Sequence, residues 1–175
     1  MALKRDDSAQ PFSLLGTDRK TYSLDSFQSA KILVVIFSCN HCPYVQAYED
    51  RLIAIQMDYG PKGVQLVAIN PNDAKGYPED DFPYMVERAK ARGYNFPYLR
   101  DESQEVARAY GAERTPHIFV FDQNRKLRYT GRIDDNWQNP KAVKSHDLRN
   151  ALDALLAGKE PPYNTPAIGC TIKWN

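Results

Sequence analysis

The string Phe37-Ser38-Cys39-Asn40-His41-Cys42-Pro43-Tyr44 joins an apolar run, Ile32 to Phe37, to a segment, Val45 to Tyr59, whose apolar residues recur at helical spacing. Two thiols three residues apart at a strand-to-helix junction restrict the fold, because a buried strand must end where the helix begins. Positions i and i+3 of a first helical turn share one side, so the two sulfurs can close a small ring or open to a dithiol with little backbone movement. A helix N-terminus adds unpaired N–H groups and about half a positive charge, which predicts a stabilised thiolate at Cys39. Pro43 suits this turn, whose amides have no intrahelical partner to lose.

A lone C-x-x-C is also half of a zinc site, which takes about four ligands. The chain offers one further cysteine, Cys170, and three histidines, with no second C-x-x-C. Dithiol chemistry is therefore the first reading and metal binding the second.

At 175 residues the chain fits one domain over 1–175 with a substantial core. Lys plus Arg number 23 against 22 Asp plus Glu, a formal charge of +1, so no global field draws in nucleic acid or an acidic membrane. The first residues lack the apolar core of a signal peptide, and no run approaches a membrane span. The expected location is the cytoplasm. Structural disulfides are rare there, so a C-x-x-C reads as catalytic or metal-binding.

In chain order, Phe12 to Phe27 reads as a hairpin around Gly16-Thr17-Asp18-Arg19-Lys20, covering one edge of the main sheet. Lys31 to Phe37 has the continuous apolar pattern of a central strand, and the following helix stops at Gly60-Pro61. Val64 to Ile69 completes a β-α-β unit. Residues 71–98 read as an insertion, a loop and then a helix ending at Gly93. Asp101 with Gln104 resembles a capping box, and His117–Asp122 with Lys126–Gly131 forms an antiparallel hairpin. Ser145 is placed to cap a last helix with Leu148, Ala151, Leu152, Leu155 and Leu156 on its inner face. In the tail, 159–175, Ile168, Cys170, Ile172 and Trp174 alternate with smaller or polar residues, which predicts a docked strand with Cys170 facing inward.

This order of elements, with Arg114-Thr115-Pro116 ahead of the hairpin, resembles the thioredoxin fold from Phe12 to Ala157. That implies a three-layer α/β domain with a mixed central sheet. Cys39-Asn40-His41-Cys42-Pro43-Tyr44 and the ending Ala167 to Trp174 are similar to a bacterial group of thiol-disulfide isomerase or redoxin-domain proteins. The resemblance implies a cis bond at Pro116 facing the thiols, with the Thr115 backbone free to pair with an incoming peptide. It also implies that Cys39 forms a mixed disulfide, that Cys42 resolves it, and that no cofactor is needed. Partners are then protein or small-molecule disulfides and thiols, together with an electron donor.

His41 is in the position of the histidine in disulfide-forming and isomerising enzymes, where a cation near the thiolate makes the disulfide more oxidising; the plain alternative is a solvated imidazole. Two features depart from thioredoxins: the strand before Cys39 carries no acidic residue, and Ser38 stands where they have Trp. Water, His41 or a carboxylate elsewhere such as Glu113 must then serve Cys42 as proton acceptor.

Two rival functions stay open. A redoxin-type peroxidase with an antioxidant role usually has Thr three residues before its cysteine, where this chain has Ile36. A copper-delivery module would use Cys39, Cys42 and His117. Cys170 reads either as a packed tail residue or as a third redox thiol. His146 and the Asp134-Asp135 pair read as surface and turn features.

Overall fold

The computed structural model describes residues 2–175. The first hairpin is built from β1 (Ser13–Gly16) and β2 (Thr21–Ser23), followed by β3 (Ile32–Phe37), α1 (Pro43–Tyr59) and β4 (Val64–Asn70). The insertion supplies a 3-10 turn (Pro78–Asp80) and α2 (Phe82–Arg92), and leads into β5 (Tyr98–Arg100). Then come α3 (Glu105–Tyr110), β6 (Arg114–Thr115), β7 (His117–Phe121), β8 (Leu127–Gly131), α4 (Asp147–Leu156) and β9 (Cys170–Thr171). Seven strands form one mixed sheet in the order β2-β1-β5-β4-β3-β7-β8, while β6 and β9 pair separately. β3, β4 and β5 run parallel; β7 lies antiparallel to β3 on its other side.

All six residues of β3 are buried, and the pleat sends them alternately to two cores. Ile32, Val34 and Ile36 join Tyr48, Leu52 and Ile55 of α1 and Leu148 and Leu152 of α4. Leu33, Val35 and Phe37 join Val106, Ala107 and Tyr110 of α3 and Phe12 and Phe27 of the N-terminal segment. The strand is thus the middle of a helix-sheet-helix sandwich, each buried branched side chain contributing roughly 2 kcal/mol. Among the described residues no helix is long and apolar enough to cross a membrane.

Four local expectations change. β5 joins the N-terminal hairpin to the sheet through β1, at the end of what reads as insertion; three residues, one of them Arg100, are too few to show a strand period. Gln104 makes no capping box: it sits at φ 67° with its amide donating to Pro71 and Lys173 carbonyls, while the Asp101 carboxylate alone accepts from the Val106 and Ala107 amides. The last helix is entered through His146, and the Ser145 hydroxyl donates to Asp147 instead. Of the alternating tail residues only Ile172 is buried; Ile168 and Trp174 are more than a third exposed, and Cys170 is half-buried. The strand there is two residues long, because its sole neighbour, β6, is equally short.

Candidate active site

The register that pairs Phe37 of β3 with His117 of β7 places the loop after β3 beside the Thr115-Pro116 bend. That bond is cis. Ser38 extends the sheet by donating to the Ile69 carbonyl, and Cys39 follows with only 1% of its surface exposed. Cys42, 2% exposed, is the N-cap of α1 in extended backbone geometry. Both thiols are free. The Cys39 sulfur lies 3.5 Å from the Thr115 hydroxyl and the Cys42 thiol donates to the Thr115 carbonyl at 3.4 Å.

The helix begins one residue after Cys42, so its N-terminal field falls on Cys42 and not, as the spacing suggests, on Cys39. A hydrogen bond from Cys39 holds the Cys42 thiol well below the ordinary cysteine range, with Cys170 adding to the effect. The same bond, burial and the charge of Asp80 push Cys39 up. Within the pair Cys42 is therefore the thiol that ionises first, at which point it accepts from Cys39 instead of donating to Thr115.

A buried acid, Asp80, does stand beside the thiols, on the Cys39 side. It comes from the 3-10 turn of the insertion, is fully buried, and accepts from the Asn40 amide at 2.7 Å and from the Asn72 side chain at 3.0 Å. Asn70 reaches it at 3.4 Å. His41 Nδ1 is 2.7 Å away but off the ring's N–H direction, a close contact and not an aligned hydrogen bond. His41 also lies 3.5 Å from Glu79 and stacks on Tyr77, so it is held and not freely solvated. Sequence reasoning misses Asp80 because 40 residues separate it from Asn40, in a loop with no periodic signal. Its only trace is the run Glu79-Asp80-Asp81 ahead of α2. The suggested alternative acid, Glu113, is exposed.

The metal set Cys39, Cys42 and His117 does not form. His117 Nδ1 accepts from the Glu113 amide at 3.2 Å, its Nε2 faces Thr130 at 3.3 Å, and burial lowers its pKa to about 4. The donors that do converge are Cys39, His41 and Asp80, all within 4.8 Å. Asp80 spends lone pairs on Asn40, Asn70 and Asn72, which leaves little for an ion. Asp134, read as a turn residue, is instead buried between Arg51 at 2.8 Å and the Tyr48 hydroxyl at 2.7 Å, tying α1 to the loop after β8.

Cys170 pairs with Thr115 across the β6–β9 ladder and packs on the cluster of Cys39, Cys42 and Val45. Three cysteines therefore meet at one end of the sheet.

A strand-to-helix dithiol facing a cis-proline bend in a mixed sheet defines a thioredoxin-like thiol protein. The chain belongs to the Redoxin family, whose profile matches residues 4–152. It is 24% identical over 142 residues to the thiol-disulfide oxidoreductase ResA of Geobacillus thermodenitrificans (strain NG80-2), covering 79% of this chain and 74% of that one. An uncharacterized conserved protein from Geobacillus kaustophilus is 44% identical with a TM-score of 0.93, covering 98% of this chain and 93% of that one. A hypothetical protein from Sinorhizobium meliloti 1021 is 40% identical with a TM-score of 0.94, covering 100% and 97%. The last two similarities take in the tail as well as the Redoxin segment.

Proposed function

We propose that the chain is a thiol-disulfide oxidoreductase working through Cys39 and Cys42. The observation that carries this reading is the pair of free, packed thiols at the strand-to-helix junction, both held against Thr115, one at its hydroxyl and the other at its carbonyl. In the reductive direction the Cys39 proton moves onto Cys42 as Cys39 attacks a substrate disulfide, forming a mixed disulfide and releasing one thiolate. Cys42 gives that proton to the departing substrate thiolate and, ionised at its helix N-cap, attacks the Cys39 sulfur; the enzyme disulfide closes and the second substrate thiolate leaves. Two electrons pass from the dithiol to the substrate, and a thiol electron donor restores the reduced form.

Thr115 supports the pair through its hydroxyl and carbonyl, and the bend at Pro116 sets their positions. Asp80 and His41 line the site beside Cys39. The substrates are disulfides or thiols of proteins or small molecules, and the site calls for no cofactor.

The test is equilibration in glutathione buffers followed by acid trapping and thiol counting, run beside insulin-reduction and peroxide-consumption assays. The expected result is one reversible two-electron couple that disappears in both Cys39→Ser and Cys42→Ser. Retention of every activity in Cys39→Ser would sink the proposal. Peroxide turnover without disulfide reduction would replace it with the peroxidase reading.

A further inference from the structure

The two central sulfurs are almost completely covered, yet thiol-disulfide exchange requires an attacking thiolate to reach a sulfur in line. Cys39 and Cys42 are 1% and 2% exposed, and the third cysteine, Cys170, is half-buried in the strand that lies over them. Cys170 packs against Cys39, Cys42 and Val45, and it pairs across the ladder with Thr115, whose hydroxyl and carbonyl meet the other two sulfurs.

The tail carrying Cys170 is fixed on both sides of it. Upstream, Thr165 donates its amide to Thr130, and its hydroxyl accepts from the Arg132 amide. Downstream, the Ile172 amide donates to the Glu113 carbonyl, the Lys173 carbonyl accepts from Asp73 and Gln104, and the Lys173 amide donates to Asn72. Between these anchors Gly169 lies flush on the bend: a Cβ there would stand 2.2 Å from the Thr115 carbonyl oxygen. A strand so placed holds its cysteine in one position against its neighbour.

We propose that Cys170 is the third thiol of a relay, in which the tail strand carries the disulfide from the buried pair to a sulfur that an outside thiol can reach. The inference rests on the oxidoreductase reading of Cys39 and Cys42. The Cys170 thiolate attacks Cys42 in the Cys39–Cys42 disulfide, the Cys42–Cys170 bond forms, and Cys39 leaves as a thiolate that takes up a proton. No electrons are gained or lost in that step; Cys170 has given up one proton and Cys39 has received one. The thiol electron donor then attacks the half-buried Cys170 sulfur, releasing Cys42, and a second donor thiol resolves the resulting mixed disulfide. Recharging thus passes through Cys170, the most exposed of the three sulfurs.

The experiment is oxidation of the full chain with diamide, alkylation in acid and non-reducing peptide mapping, with free thiols counted in parallel. In wild type, a Cys42–Cys170 linked peptide is expected together with alkylated Cys39. In Cys39→Ala, both remaining thiols are expected to be lost within a monomer. Gly169→Ala in that background displaces the strand and is expected to restore both free thiols. Two free thiols in oxidised Cys39→Ala, or disulfides only between chains, overturn the relay, as does absence of the linked peptide from wild type. Failure of Cys170→Ser to close Cys39–Cys42 counts against the oxidoreductase reading itself, so the two failures are distinguishable.

Discussion

The Asp80 carboxylate, fully buried on the insertion, lies 2.7 Å from the Nδ1 atom of His41, inside the C-x-x-C. Its other contacts are the Asn40 amide and the side chains of Asn70 and Asn72, so one carboxylate ties the insertion to the active-site loop. Asp80→Ala leaves those donors unpaired in a dry environment. The expected cost is about 3 kcal/mol, read as a fall in the urea midpoint. Asp80→Asn keeps the shape and removes the charge that pushes Cys39 up, so alkylation of Cys39 is expected to begin at lower pH.

The earlier ionisation of Cys42 should be visible spectroscopically. In reduced wild-type protein the thiolate absorbance near 240 nm is expected to show a first step below that of an ordinary cysteine, because Cys42 is held down by the Cys39 hydrogen bond. Cys39→Ala removes the donor. The step should then move up toward the free-cysteine value of about 8.5.

His117 gives a pH dependence of stability with a definite sign. Burial holds it neutral with a pKa lowered to about 4, whereas an unfolded histidine takes its proton near 6.5. Between those values the unfolded chain binds more protons, so stability is full above about pH 6.5 and declines as pH falls toward 4, by about 3 kcal/mol in all. His117→Phe removes this component. A series of urea unfolding midpoints from pH 7 down to 4 should therefore fall less steeply in the variant than in wild type.

A second buried acid fastens the insertion from below the site. Glu49 of α1 is 1% exposed and accepts from Arg88 of α2 through both oxygens, at 2.5 and 2.8 Å, and from the Tyr94 hydroxyl at 2.6 Å. Arg88→Ala leaves that carboxylate without its main partner. A loss of about 3 kcal/mol is expected in denaturant unfolding, while Glu49→Gln with Arg88→Met should recover part of it.

What could be read before the structure was known depends on range along the chain. β3, α1 and the dithiol between them follow from an unbroken apolar run, a helical repeat and a proline one residue past the second cysteine, all local signals. The cis bond at Pro116 follows from resemblance alone, since nothing in Arg114-Thr115-Pro116 dictates it. β5 escapes because its three residues become a strand only by lying between β4 and β1. Asp80 escapes because its partners are brought to it by the folding of the whole insertion. The tail shows its alternation but not its burial: Ile172 finds the second core, while Ile168 and Trp174 on the same nominal face do not, because the strand ends before it can carry them inward.

The pairing of Phe37 with His117 sets the dithiol loop beside the Thr115-Pro116 bend. The β3–β7 ladder anchors the dithiol loop and the Thr115-Pro116 bend at one end of two neighbouring strands of the seven-stranded sheet. The insertion and the tail close over them from outside through side-chain contacts and a two-residue strand. Motion that accompanies opening or closing of the disulfide must then be taken up by these outer segments, and amide exchange that depends on redox state should concentrate in residues 71–81 and 166–175 while β3 and β7 stay protected.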